Sequence, residues 1–126
     1  MLHHVEINVG DLEKSSSFWG WFLAELGYAP FQRWDKGISY KKGETYIVFV
    51  QTEEKYRGTA FHRRRAGLNH LAFHAPSRIF VDEIAGKLSA RKVLILYEDR
   101  YRKDNGEGFY GIYFEDPDRI KVELVV

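Results

Sequence analysis

Two stretches of this chain are near copies of one another. Leu2-His3-His4-Val5-Glu6-Ile7 and Leu68-Asn69-His70-Leu71-Ala72-Phe73-His74 each place a His two residues after a Leu, in a short run that alternates with apolar positions. Each run then leads into a helical pattern. A chain that repeats itself in this way is constrained to fold as two like modules, and His4 and His70, 66 positions apart, become equivalent residues. A pair of equivalent His residues on strands is a natural place to look for a metal ion.

The rest of the chain supports the duplication. Val5, Ile7 and Val9 share one face of a first strand, and His4, Glu6 and Asn8 share the other. Asp11 stands where an N-cap would, before Leu12, Phe18, Trp19, Phe22, Leu23 and Leu26 at helical spacing, and Gly27 fits the position that ends such a helix. Strand patterns follow around Phe31–Trp34, Ile38–Lys41 and Tyr46–Gln51, with Lys42-Gly43-Glu44 as a hairpin turn. After a polar, basic connection over residues 52–66 the order returns. Leu68–Ala75 reads as a strand, and Pro76-Ser77 opens a helix with Val81, Ile84, Ala85 and Leu88 on one stripe. Val93–Tyr97 reads as a strand, Asp99–Gly108 as a second basic loop, and Tyr110–Glu115 and Ile120–Val126 as a closing hairpin turned by Asp116-Pro117-Asp118. The expected organisation is one domain over 1–126, with module one at 1–51, the connecting loop at 52–66 and module two at 67–126.

Composition narrows the functions open to such a chain. Cysteine is absent, which excludes disulfides, thiolate metal sites and a Cys nucleophile. A net charge of +1 argues against a nucleic-acid-binding protein, although Arg63-Arg64-Arg65 and the Arg100, Arg102, Lys103 group concentrate positive charge locally. No apolar run reaches membrane-spanning length and the N-terminus lacks a secretory pattern, so the expected setting is cytoplasmic, without membrane contact.

Equal spans extend the repeat. Tyr40 to Val50 and Tyr113 to Glu123 each cover strand, turn and strand over a separation of ten positions, which makes Val50 the expected counterpart of Glu123. The four corresponding positions are then His4, Val50, His70 and Glu123, three of which can bind a metal. Gln51 alternates onto the opposite face, and His3 by parity points to the helix-packed side.

These openings, together with the ending Phe114-Glu115-Asp116-Pro117-Asp118-Arg119-Ile120-Lys121-Val122-Glu123-Leu124, resemble the vicinal oxygen chelate superfamily: the glyoxalase, bleomycin-resistance, fosfomycin-resistance and extradiol-dioxygenase group. The resemblance covers essentially the whole chain, and Asp-Pro-Asp with Glu five residues after the second Asp is its most specific part. It implies an α+β fold of two βαβββ modules, forming curled mixed sheets around a cleft. It also implies a divalent ion held by His4, His70 and Glu123, and a homodimer with shared clefts. Arg119 stands where the family usually has Gly. Val50 stands where a four-ligand glyoxalase I would carry a carboxylate.

Ligands of imidazole and carboxylate, without sulfur, suit Mn, Fe, Ni, Co or Zn, and three of them leave positions open for substrate. His74 shares the face of His70 and is open to two readings, an acid–base group or a hydrogen-bonded residue at the edge of the cleft. Glu6 and Asn8, on the face of His4, could act on or orient a bound molecule, or could be ordinary polar lining. Arg63, Arg64 and Arg65 could anchor an anionic substrate or form a solvated loop, and Lys121, on the Glu123 face, is a further candidate anchor. The resulting expectation is a divalent-metal-dependent enzyme acting on a small oxygen-rich molecule, by lyase, dioxygenase or epoxide-opening chemistry. The alternative is a small-molecule binding and resistance protein of the same fold that turns nothing over.

Overall fold

The computed structural model describes residues 1–98 and 108–126. Arg100, Arg102 and Lys103, and most of the second basic loop, lie outside the described residues. The chain divides into two compact units, Met1–Ala60 and Phe61–Val126. Each has the order βαβββ, and the fold is α+β. Among the described residues no helix is long and apolar enough to cross a membrane.

Unit one runs β1 (His4–Val9), α1 (Leu12–Glu25), β2 (Ala29–Trp34), β3 (Gly37–Lys42) and β4 (Thr45–Gln51), with sheet order β1-β4-β3-β2. The β1–β4 pair is parallel, because α1 carries the chain across the sheet, and the others are antiparallel. Asp11 caps α1 by accepting from the backbone N–H of Lys14 at 3.1 Å. Gly27, at φ 87°, ends the helix, with the Tyr28 N–H bonded back to Leu23 O at 2.9 Å. Trp19, Phe22 and Leu23 on the inner stripe of α1 are fully buried, and the Trp19 indole stacks on Phe49 of β4 with ring centroids 5.0 Å apart. Gln51, on that same side, ties strand to helix: its Oε1 accepts from Leu12 N at 2.9 Å and its Nε2 donates to Gly10 O at 2.9 Å. The strand β2 begins earlier than its apolar pattern suggests and includes Pro30, which an edge strand tolerates, with a register shift between Pro30 and Arg33.

Unit two runs β5 (His70–His74), α2 (Arg78–Ala90), β6 (Ile95–Leu96), β7 (Gly111–Glu115) and β8 (Lys121–Val125), in sheet order β5-β8-β7-β6. Ser77 caps α2, accepting from Phe80 N at 3.1 Å. Val81, Ile84, Ala85 and Leu88 are buried on its inner stripe, and Ile112, Phe114, Val122 and Leu124 are buried on the sheet. The expected strand Val93–Tyr97 shrinks to Ile95–Leu96. Tyr97 at φ 54° occupies the left-handed region and ends the strand, and at the other end the Val93 N–H is taken by Leu88 O of the helix at 2.9 Å.

The register corrects one step of the repeat. His4 pairs with Tyr46, and its equivalent His70 pairs with Lys121. Glu123, opposite Ala72, therefore corresponds to Val48, opposite Glu6, while Val50 corresponds to Val125. Likewise Tyr113, the hairpin partner of Glu123, matches Ser39, the partner of Val48. Tyr40 is the counterpart of Phe114 and lies on the helix side, where its hydroxyl donates to Ser16 O of α1 at 3.4 Å and burial raises its phenol pKa. The physical reason is turn length. Between equivalent strand pairs, the connection from Lys41 to Tyr46 runs through residues 42–45, whereas that from Glu115 to Lys121 runs through 116–120 and is one residue longer. Val50 keeps the expected face but sits two residues from the expected place. The fourth position of the repeat is still apolar, and it is Val48.

Candidate metal and substrate site

The turn that precedes β8 is built by one carboxylate. Asp116 is 5% exposed, and its Oδ1 accepts from both Asp118 N and Ile120 N at 2.8 Å. The Arg119 N–H closes on Asp116 O at 3.0 Å, with Arg119 at φ 65°. That left-handed conformation accounts for the glycine common at this position in the resembling family. The Asp-Pro-Asp motif thus fixes where β8 starts, and so where Glu123 projects.

Glu123 is 6% exposed, and its Oε2 lies 3.0 Å from His70 Nε2 across the β5–β8 pair. Among the described residues His70 is the only hydrogen-bonding partner of that carboxylate. The other ring nitrogen, His70 Nδ1, is 2.7 Å from Asn69 Oδ1. Both nitrogens of one imidazole therefore face oxygen atoms. A neutral imidazole lone pair directed at a carboxylate oxygen is repulsive, so the contact needs a proton or a metal cation between Nε2 and Glu123. The donor set fits a divalent ion on this ground.

Around this pair stand two tyrosines that were not singled out from sequence as site residues. The Tyr113 ring meets His70 edge-on at 5.8 Å and Tyr97 at 5.8 Å. Lys121 Nζ lies over both tyrosines, 5.4 Å from the Tyr113 ring and 5.9 Å from that of Tyr97. Alternation along β7 would have placed Tyr113 on the Glu123 face, had its register been known. Glu115, the cross-strand neighbour of Lys121, accepts from Arg63 NH1 at 2.6 Å and lies 3.4 Å from Arg119 Nε. The Glu115 hydrogen bond, together with one to Tyr97, raises the Arg63 pKa further above its already high ordinary value. Arg63 is thereby tied into this unit, whereas Arg64 and Arg65 are exposed.

In unit one, His4 is exposed and stacks on Tyr46, with centroids 4.7 Å apart and planes 5° from parallel. Glu6 and Asn8 follow it on the exposed side of β1, and His74 is exposed at the end of β5. His3 departs from its expected place. It precedes β1, is exposed rather than helix-packed, and sets its Nδ1 2.8 Å from His4 Nδ1. Unit two thus brings His70 and Glu123 together, while His4 belongs to unit one. Among the described residues no group of three or more His, Asp or Glu side chains is assembled as a ready metal cage.

Comparison with known proteins agrees with the architecture. The sequence profile of the Glyoxalase/Bleomycin resistance protein/Dioxygenase superfamily matches residues 1–124. The uncharacterized protein YqjT of Bacillus subtilis (strain 168) is 53% identical over 124 residues, covering 98% of this chain and 97% of its own length. A solved chain of Bacillus halodurans, described as a candidate glyoxalase, superposes with a TM-score of 0.95 at 58% identity, covering 99% of this chain and 94% of that one. Lactoylglutathione lyase from Agrobacterium tumefaciens shares the fold at a TM-score of 0.69 and 20% identity, over 99% of this chain and 92% of its own. With the motifs, the paired βαβββ units and these relatives in agreement, the chain belongs to the Glyoxalase/Bleomycin resistance protein/Dioxygenase superfamily.

Proposed function

We propose that this protein is a divalent-metal-dependent enzyme whose two units act as one vicinal oxygen chelate domain, with His4, His70 and Glu123 as the metal ligands. The observation that carries the reading is the nearly buried Glu123 carboxylate, 3.0 Å from His70 Nε2 and without another hydrogen-bonding partner among the described residues. A carboxylate held in that way costs stability unless a cation offsets it. Mn, Fe, Ni, Co or Zn suits these donors, and such an ion, when bound, would polarise the paired oxygens of a small substrate and stabilise the negative charge that develops there.

The chain's own residues divide the remaining tasks. Lys121, Arg64 and Arg65 supply positive charge for an anionic substrate group, and Asn8 a hydrogen-bonding amide. Arg63 enters as the partner of Glu115, keeping that carboxylate from competing for Lys121. His74 and Glu6 are the candidate proton carriers. The Tyr113 and Tyr97 rings flank Lys121 and restrict how its ammonium is presented. The active species in this reading is a cytoplasmic homodimer with shared clefts.

The test compares metal-free protein with protein reconstituted with each of the five metals. Each is assayed on a 2-oxoaldehyde–thiol adduct, a catechol with oxygen, and an epoxide with a thiol. Metal-dependent turnover of one probe class is expected, as is restored metal binding when His4→Ala and Glu123→Ala chains are mixed. Tight binding of a small molecule without metal or turnover would instead establish the sequestering alternative. A monomer in sedimentation at micromolar concentration would remove the shared cleft.

A further inference from the structure

The residue before each candidate His ligand touches that ligand's Nδ1. In unit two Asn69 Oδ1 lies 2.7 Å from His70 Nδ1, and in unit one His3 Nδ1 lies 2.8 Å from His4 Nδ1. The β1–β4 and β5–β8 registers make His4 and His70 equivalent, so His3 and Asn69 occupy the same place in the repeat. Different side chains thus make one kind of contact at both sites.

We infer that His3 and Asn69 are positioning residues: each accepts the Nδ1–H of the following His, which leaves that residue's Nε2 as the lone-pair donor to a metal. This rests on the metal-binding reading above. At His70 the acceptor is the Asn69 amide oxygen, so Nδ1 is protonated, and Nε2, whose own proton a bound metal would replace, is the atom that faces Glu123. At His4 two Nδ1 atoms share one proton, and placing it on His4 makes His3 the acceptor, the role its counterpart plays. The Tyr46 ring stacked on His4 at 4.7 Å, and the Tyr113 edge against His70 at 5.8 Å, limit rotation of each imidazole about the same hydrogen bond. An imidazole with free choice of tautomer presents the wrong nitrogen for part of the time. Fixing the tautomer through the distal nitrogen removes that loss and raises ligand basicity.

The contact also gives the opening Leu2-His3-His4 a use for its first His. Nothing packs His3 into a core, and its ring is 5.0 Å from His4 and 5.4 Å from Tyr46.

The experiment reads the tautomers directly, by long-range proton–nitrogen correlation spectra of the full chain labelled at His, without metal. His4 and His70 should both show a protonated Nδ1. Asn69→Leu should release His70, and His3→Leu should release His4. His3→Asn, which transplants the unit-two solution, should retain the wild-type pattern. In parallel, Zn and Ni titrations should show affinity lowered about 10- to 100-fold by each Leu variant and largely kept by His3→Asn. An Nδ1 without a proton in the wild type, or Leu variants that bind as tightly as wild type, would overturn the inference while leaving the metal reading intact. Absence of metal binding by the wild type itself would overturn that reading, and the inference with it. Circular dichroism of each variant separates these outcomes from misfolding.

Discussion

Replacing His70 by Ala should strongly destabilise the metal-free protein. The substitution leaves Glu123, 6% exposed, without its hydrogen-bonding partner among the described residues. Stranding a buried charge costs about 3–5 kcal/mol in well-buried pairs, and the partial exposure of His70 brings the expectation nearer to about 2–3 kcal/mol. Glu123→Gln keeps an acceptor oxygen for the imidazole and should cost about 1 kcal/mol. The double variant His70→Leu/Glu123→Leu should be as stable as the wild type or more so, because a packed apolar pair avoids the desolvation of two polar groups. Urea denaturation midpoints at constant slope would decide all three. A His70→Ala midpoint equal to that of the wild type would mean that the pair is solvated. A double variant well below the wild type would mean that the pair is retained for stability. The expected ordering means that it is retained at a cost to stability, as functional groups commonly are.

The second large effect is expected at Asp116. Its Oδ1 accepts two backbone N–H groups at 2.8 Å, one buried and one part-buried, and Ala would leave both without that acceptor. A loss of about 2–3 kcal/mol follows from the desolvation of two unpaired donors. Asp116→Asn retains an acceptor and should lose about 1 kcal/mol. Because this turn sets the start of β8, Asp116→Ala should also weaken metal binding at Glu123, seven residues along the chain. Intact metal affinity in a folded Asp116→Ala protein would show that the strand register does not depend on the turn.

Period-two alternation and the duplicated openings were enough to establish the βαβββ order and the faces of β1, β5 and β8, whereas the association of His70 with Glu123 came from the family resemblance. They could not establish register across the hairpins. The second turn holds one residue more than the first, and a left-handed Arg119 gives no sequence signal where glycine would. The result was a slip from Val48 to Val50. Arg63 looked like part of a free basic run because its partner, Glu115, lies 52 residues away. His3 was misread for a related reason: parity assumes that the strand has already begun, and β1 begins one residue later. Local pattern reports which side a residue faces, whereas the identity of its partner depends on turn lengths and on distant segments.

The central claim is that His4, His70 and Glu123 bind one divalent ion. Elemental analysis of protein purified without a histidine tag and reconstituted with Mn, Fe, Ni, Co or Zn tests it most directly. The account predicts about one ion per chain, since each pair of modules offers one set of donors. It also predicts loss of that ion from both Glu123→Ala and His4→Ala/His70→Ala proteins that retain native circular dichroism. Tight stoichiometric binding by the folded His4→Ala/His70→Ala protein would contradict it.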